Sequence, residues 1–201
     1  MHVFLIAVSA LVVLVLALIV CGVGLYNGLV TLRNRYKNAF AQIDVQLRRR
    51  YDLIPNLVET AKGYLAHERE TLTAVIEARN VAAGAAKALA GMPGDPSAMR
   101  TFAAAESGLA GVLSKLMLVV EKYPDLKADR QMARVSEELT STENRIAFAR
   151  QAYNDAVTEY NTQRELFPSS LVANAFGFAS AALLAATDAE VQSMIRHHTS
   201  F

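Results

Sequence analysis

Residues Val3 to Leu25 carry no charged side chain, and 16 of these 23 residues are Val, Ile, Leu or Phe. At about 1.5 Å per residue such a stretch spans roughly 34 Å, enough for a hydrocarbon core of about 30 Å with some tilt. At about −0.3 to −0.6 kcal/mol per residue, those side chains favour insertion by roughly 5–10 kcal/mol. A membrane-spanning helix over 1–25 is the reading this dictates. A cleaved signal peptide would need a basic leader, a shorter apolar core and a small-residue cleavage site. Here only Met1 and His2 precede the run. Leu18-Ile19-Val20-Cys21 faintly resembles a lipobox, but Val20 stands where a small residue is needed. Cys21, the single cysteine, reads as a lipid-facing or packed thiol and allows no intrachain disulfide.

Charge sets the orientation. All 20 Lys and Arg residues lie at Arg33 or later. Arg33, Arg35 and Lys37 fall close enough to the span to count under the positive-inside rule, and they predict a cytoplasmic body with a short N-terminus outside. The expected topology is a single crossing of the membrane.

Beyond the anchor the chain is rich in strong helix formers. Leu29, Leu32, Tyr36, Phe40, Ile43, Leu47, Ile54, Val58, Ala61, Leu65, Leu72 and Val75 recur mostly at steps of three or four, one face of an amphipathic helix. That phase predicts one helix from Tyr26 to about Ala90, kinked or broken at Asp52–Asn56. There Pro55 removes a hydrogen bond and crowds the carbonyl of Tyr51. A hairpin at the same place is the competing reading. Gly91-Met92-Pro93-Gly94-Asp95-Pro96-Ser97 is a loop. A helix follows over about 98–122, then a turn at Tyr123-Pro124-Asp125-Leu126 and a helix over about 127–166. Phe167-Pro168-Ser169-Ser170 ends that helix, with Ser169 or Ser170 available as a cap. The tail, 169–201, reads as helical and peripheral, on the bundle or at the membrane surface. The fold class is therefore all-α: a transmembrane helix, then an antiparallel bundle of long helices over 26–168.

Several blocks carry a family resemblance. Tyr26-Asn27-Gly28-Leu29-Val30-Thr31-Leu32-Arg33-Asn34 leads into the long run Gln42 to Thr60, and Glu121-Lys122-Tyr123-Pro124-Asp125-Leu126 and Thr142-Glu143-Asn144-Arg145-Ile146 follow. Ala149 to Val157, Phe167-Pro168-Ser169-Ser170 and Phe176-Gly177-Phe178 complete the pattern. Over nearly its whole length the chain resembles the LemA family of bacterial membrane proteins. The resemblance implies one N-terminal span followed by a helical bundle. One relative acts in magnetosome formation and members are often encoded beside membrane proteases, which points to envelope organisation or quality control. The tail after Phe178 departs from the family's aromatic, acidic ending.

Polar residues in the first block are denser than a bundle needs. Asp44, Gln46, Arg48, Arg49, Arg50, Asp52 and Pro55 form a candidate interaction surface, for another subunit or for anionic lipid. The plainer reading is surface charge with helical pairing, Asp44 to Arg48 and Asp52 to Arg48 or Arg49, at about 0.2–0.5 kcal/mol each. Tyr-Asn occurs at Tyr26-Asn27, Tyr153-Asn154 and Tyr160-Asn161, the last two one heptad apart on one helix face. Ring packing with the hydroxyl at a polar rim accounts for the second and third, and an interfacial anchor for Tyr26. His67-Glu68 opens like a zinc-protease motif, but Thr71 stands where the second His belongs. His197-His198 has no carboxylate or Cys beside it. No catalytic set, cofactor or metal site is expected, and a net charge of +1 with no basic aromatic face gives no reason to expect nucleic acid.

The resulting expectation is a membrane-anchored scaffold that contacts membrane lipid and self-associates or organises partners. An adaptor of a membrane protease and a ligand-sensing bundle are the alternatives. Self-association is expected because a helix from Tyr26 to Ala90 would leave part of its apolar stripe bare. Parallel neighbours would then meet through Tyr26–Glu59 and the Ala-rich strip near Val81–Ala90.

Overall fold

The computed structural model describes residues 1–185. Its long helices are α1 (His2–Lys62), α2 (Arg69–Gly91), α3 (Pro96–Val120) and α5 (Arg130–Glu165), joined by the short α4 (Pro124–Lys127) and followed by α6 (Ser169–Ala175). Side chains of α1 from Phe4 to Cys21 are exposed, and none of them is charged. Protein contact begins only where that apolar stretch ends, at Tyr26 and Leu29. An apolar segment this long and this bare suggests a membrane anchor. α3 is also apolar enough to cross a membrane, but it carries the buried Glu106 and packs along α2.

Four long segments run up and down side by side. The chain leaves the anchor along α1, returns along α2, goes out again along α3, and comes back along α5. Arg79 of α2 meets Tyr51 and Asp52 of α1, while Glu159 of α5 meets Arg35 near the anchor and Glu138 meets Arg49 further out. Leu29, Tyr36, Phe40, Ile43, Leu47, Ile54, Leu57 and Ala61 form the buried stripe of α1, against which α2 and α5 pack. Tyr153, Val157 and Tyr160 supply the facing stripe of α5.

The expected helix from Tyr26 to Ala90 is two helices. α1 runs through Pro55 without a break, and the chain reverses at 63–68 instead, which corrects both the break and the hairpin placed at Asp52–Asn56. Two physical reasons explain the difference. Pro55 has no N–H for the carbonyl of Tyr51, but Arg79 Nε donates to that oxygen at 2.9 Å from the neighbouring helix. The orphaned acceptor is satisfied, so the helix continues. Gly63, directly after the last turn, opens the reversal, and Leu65, fully buried, plugs it. Because Ala61, Leu65, Leu72 and Val75 are all buried, the apolar phase carries across the turn and reads as one helix.

Replacing Arg79 by Met should therefore cost about 1–3 kcal/mol by stranding the Tyr51 carbonyl. In a Pro55→Ala background the same change should cost much less, since alanine at that position supplies the helical N–H. A double-mutant cycle by denaturant unfolding checks this; equal costs in both backgrounds would exclude the proposed compensation.

The helix after the loop begins at Pro96, capped by the Asp95 carboxylate, which accepts from the N–H groups of Ser97 and Ala98 at 3.0 and 2.8 Å. Ser97 is thus inside the first turn. Asp129 caps α5 in the same way. Within the described part of the tail, 169–185, helix is confined to α6, and neither Ser169 nor Ser170 caps it. Ser169 is buried and accepts from Gln163 Nε2 at 2.8 Å. Gly177, at φ 68°, closes α6 in a Schellman arrangement, with Phe178 N–H donating to Ala173 O at 2.9 Å. From there to residue 185 the chain has no helix and lies along the bundle. The expectation for 186–201 lies outside the described residues. Since α2 and α5 cover the α1 stripe, and Ala82, Ala86 and Leu89 face the bundle interior, the bare strip from which self-association was expected is filled within one chain.

Candidate peptide-holding site

Of the candidate surface residues in α1, Asp44, Arg48 and Asp52 line one groove together with Arg79, and the others are placed apart from it. Arg48 pairs with Asp44, at 2.8 Å, as its spacing predicts. Asp52 pairs across to Arg79 of α2, at 3.6 Å, rather than back to Arg48 or Arg49. Arg49 points to Glu138 of α5 at 3.7 Å, the Gln46 Oε1 is buried without a protein partner, and Pro55 is exposed, lining a groove with Leu65 and Leu72. Arg50 turns inward. It is 6% exposed and bonds Glu106 of α3, itself 4% exposed, and Glu143 of α5 at 2.9 and 3.1 Å. Tyr51 adds its hydroxyl to Glu106 at 2.6 Å, and burial raises that phenol's pKa. One guanidinium thus ties together α1, α3 and α5. The space beside it, bounded by Phe102 and Ile146, is only about 20 Å³, roughly the room for one water.

A second constellation lies on α5 and holds a stretch of main chain. Asn161 makes a reciprocal pair with Ala181: its Nδ2 donates to the carbonyl at 2.9 Å and its Oδ1 accepts from the N–H at 3.0 Å. Asn154, two turns further from the anchor, makes the same pair with Leu184, at 3.0 and 2.9 Å. Tyr160 and Tyr153 donate to the carbonyls of Ala179 and Ala182, both at 2.8 Å, and Arg164 Nε donates to Phe178 O at 2.8 Å. On the far side the Ala182 N–H donates to Gly94 O at 2.9 Å. Gly94 sits at φ 94°, and a Cβ there would come within 3.0 Å of the Ala181 methyl, so only Gly lets the loop approach so closely.

The held segment buries Phe178, Ala181 and Leu184, every third residue. A repeat of three is that of an extended, polyproline-like chain. Beneath it Tyr36, Tyr153 and Tyr160 cluster, with Tyr36 centred 5.2 Å from Tyr160 and 6.3 Å from Tyr153. Burial pushes all three phenols above the usual tyrosine range, in which Tyr153 and Tyr160 would already be hydroxyl donors at physiological pH. Ring packing is thus half of what the heptad-spaced Tyr-Asn pairs do. The Asn amides, whose role the spacing alone does not reveal, carry the other half by pairing with peptide groups rather than side chains. Tyr26 packs edge-on against Phe176 and Phe178, at 5.1 and 5.4 Å between ring centres.

The LemA family model matches residues 39–196. Magnetosome protein MamQ 1 of Paramagnetospirillum magneticum is 26% identical over 168 residues, 76% of this chain and 62% of that protein. MamQ of Magnetospirillum gryphiswaldense is 24% identical over the same shares. Protein LemA of Metamycoplasma hominis is 25% identical over 84% of this chain and 72% of its own length. The chain thus spans about three fifths of the length of the MamQ relatives. With its long apolar first helix, its antiparallel bundle and a match covering most of its length, the chain belongs to the LemA family.

Proposed function

We propose that this protein is a scaffold anchored in the bacterial inner membrane, with its body in the cytoplasm, where it organises other polypeptides or further copies of itself. The observation that carries this reading is the grip on α5, in which Asn154, Asn161, Tyr153, Tyr160 and Arg164 bond main-chain atoms; the chain's own residues 178–185 fill it, so a segment of a partner or of a second copy would have to take their place. Because α1 passes unbroken from the anchor into the bundle, the grip stands at a fixed height above the membrane. Arg33, Arg35 and Lys37 support the cytoplasmic side, and kinship with magnetosome proteins is consistent with assembly work. The same grip would suit an accessory subunit that presents extended chains to a membrane protease. The identity of the trapped partner separates these two readings.

A membrane-impermeant, lysine-reactive cross-linker tests the proposal. Added to inverted inner-membrane vesicles, it should join the body to a stoichiometric partner polypeptide or a second copy. Added outside spheroplasts, it should leave the body untouched. Labelling in spheroplasts would reverse the orientation, and recovery of the uncross-linked chain alone from inverted vesicles would contradict the scaffold.

A further inference from the structure

We propose that the base of the bundle carries a second membrane contact, in which Leu166, Phe167, Leu171 and Phe176 seat the protein in the interfacial layer of the leaflet through which α1 leaves the bilayer. Large apolar side chains belong in a core, yet among the described residues these four are uncovered: Phe167 is 80% exposed and Phe176 66%. Their height identifies the occupant. The apolar run of α1 ends at Leu25, and Tyr26 meets Phe176 edge-on at 5.1 Å, which puts Phe176 at the level where hydrocarbon gives way to headgroups. Glu159 of α5 is level with Arg35 of α1, to which it is ion-paired. Seven residues later, about 10 Å nearer the anchor, Leu166 and Phe167 come level with Gly28 and Asn27. Leu171 follows on α6, which packs against both α1 and α5.

The surrounding chemistry is that of an interfacial band. Tyr26 supplies an amphipathic ring at the edge. Arg33, whose guanidinium lies 5.1 Å from the centre of the Phe178 ring, and Lys37 place cations about two to three turns deeper in the body, on the side that faces the lipid headgroups. A bilayer is the one apolar phase that the anchor brings to this edge, so no separate partner is needed to cover it. Two contacts, one spanning and one interfacial, would also fix the tilt and rotation of the bundle, which a lone helix leaves free.

The chain contains no tryptophan, so a single introduced Trp can report on this edge. Phe167→Trp and Leu171→Trp alter exposed positions, and Phe148→Trp, 75% exposed on α5 and about 30 Å from Tyr26 along the bundle, is the comparison. Each full-length variant would be reconstituted into phosphatidylethanolamine–phosphatidylglycerol vesicles with or without lipids brominated near the top of the acyl chain. Emission from the Phe167→Trp and Leu171→Trp variants should shift to the blue and fall by about twofold or more with brominated lipid, as an apolar face buried about 5–10 Å into the interface requires. The Phe148→Trp variant should be unaffected by the bromine and readily quenched by aqueous iodide. Two results would overturn the proposed contact. One is that the two edge variants prove as open to iodide as the comparison. The other is that brominated lipid quenches the comparison as strongly as it quenches them.

Discussion

Arg50→Met should lower the unfolding free energy by about 3–5 kcal/mol, the usual consequence of removing one partner of a buried ion pair. Glu106 would be left 4% exposed and without the guanidinium that neutralises it, while keeping the Tyr51 hydroxyl. The other carboxylate on Arg50, that of Glu143, is 41% exposed and can turn to water. Urea unfolding of the detergent-solubilised full chain, followed by helical circular dichroism, measures the loss. Arg49→Met, which breaks only an exposed 3.7 Å pair with Glu138, should stay within about 1 kcal/mol and controls for charge alone. Adding Glu106→Leu to Arg50→Met should restore much of the stability, because an apolar pair carries no desolvation penalty. A loss no larger for Arg50→Met than for Arg49→Met would show that Arg50 does not bind the three helices together.

How far the sequence reveals this fold depends on the range of the forces involved. The anchor and the stripe from Leu29 to Ala61 are legible because burial in lipid or in a bundle imposes a pattern on consecutive residues. Pro55 misleads because its remedy, Arg79, lies 24 positions away and answers a missing N–H that no local rule can supply. The reversal at Gly63 is masked because buried residues on both sides keep the helical phase. Among the candidate surface residues, spacing along one helix explains Asp44 with Arg48 but not Arg50, whose partners sit on two other helices. The Tyr-Asn repeat on α5 is visible at seven residues. Its counterpart is an Ala-rich tail that carries no side-chain signature, since the Asn amides read peptide groups. A paired signal exists only in hindsight: polar side chains one heptad apart, followed within 30 residues by an uncharged segment.

Asn154 and Asn161 hold residues 178–185 through their main chain, and the proposed scaffold depends on that grip more than on any other feature. Each Asn makes two hydrogen bonds worth about 0.5–1.5 kcal/mol apiece, so the Asn154→Ala, Asn161→Ala double variant should weaken the local grip by about 2–6 kcal/mol. The rest of the bundle, whose core extends well beyond this segment to Ile54, Leu57 and Leu65, should keep most of its stability. Amide hydrogen exchange of the full chain reads this directly, because Ala181 and Leu184 donate their N–H groups to the two Asn side chains. In the double variant, protection at Ala181 and Leu184 should drop about thirtyfold or more while that of α5 stays unchanged. Unaltered protection at these two amides would contradict the account.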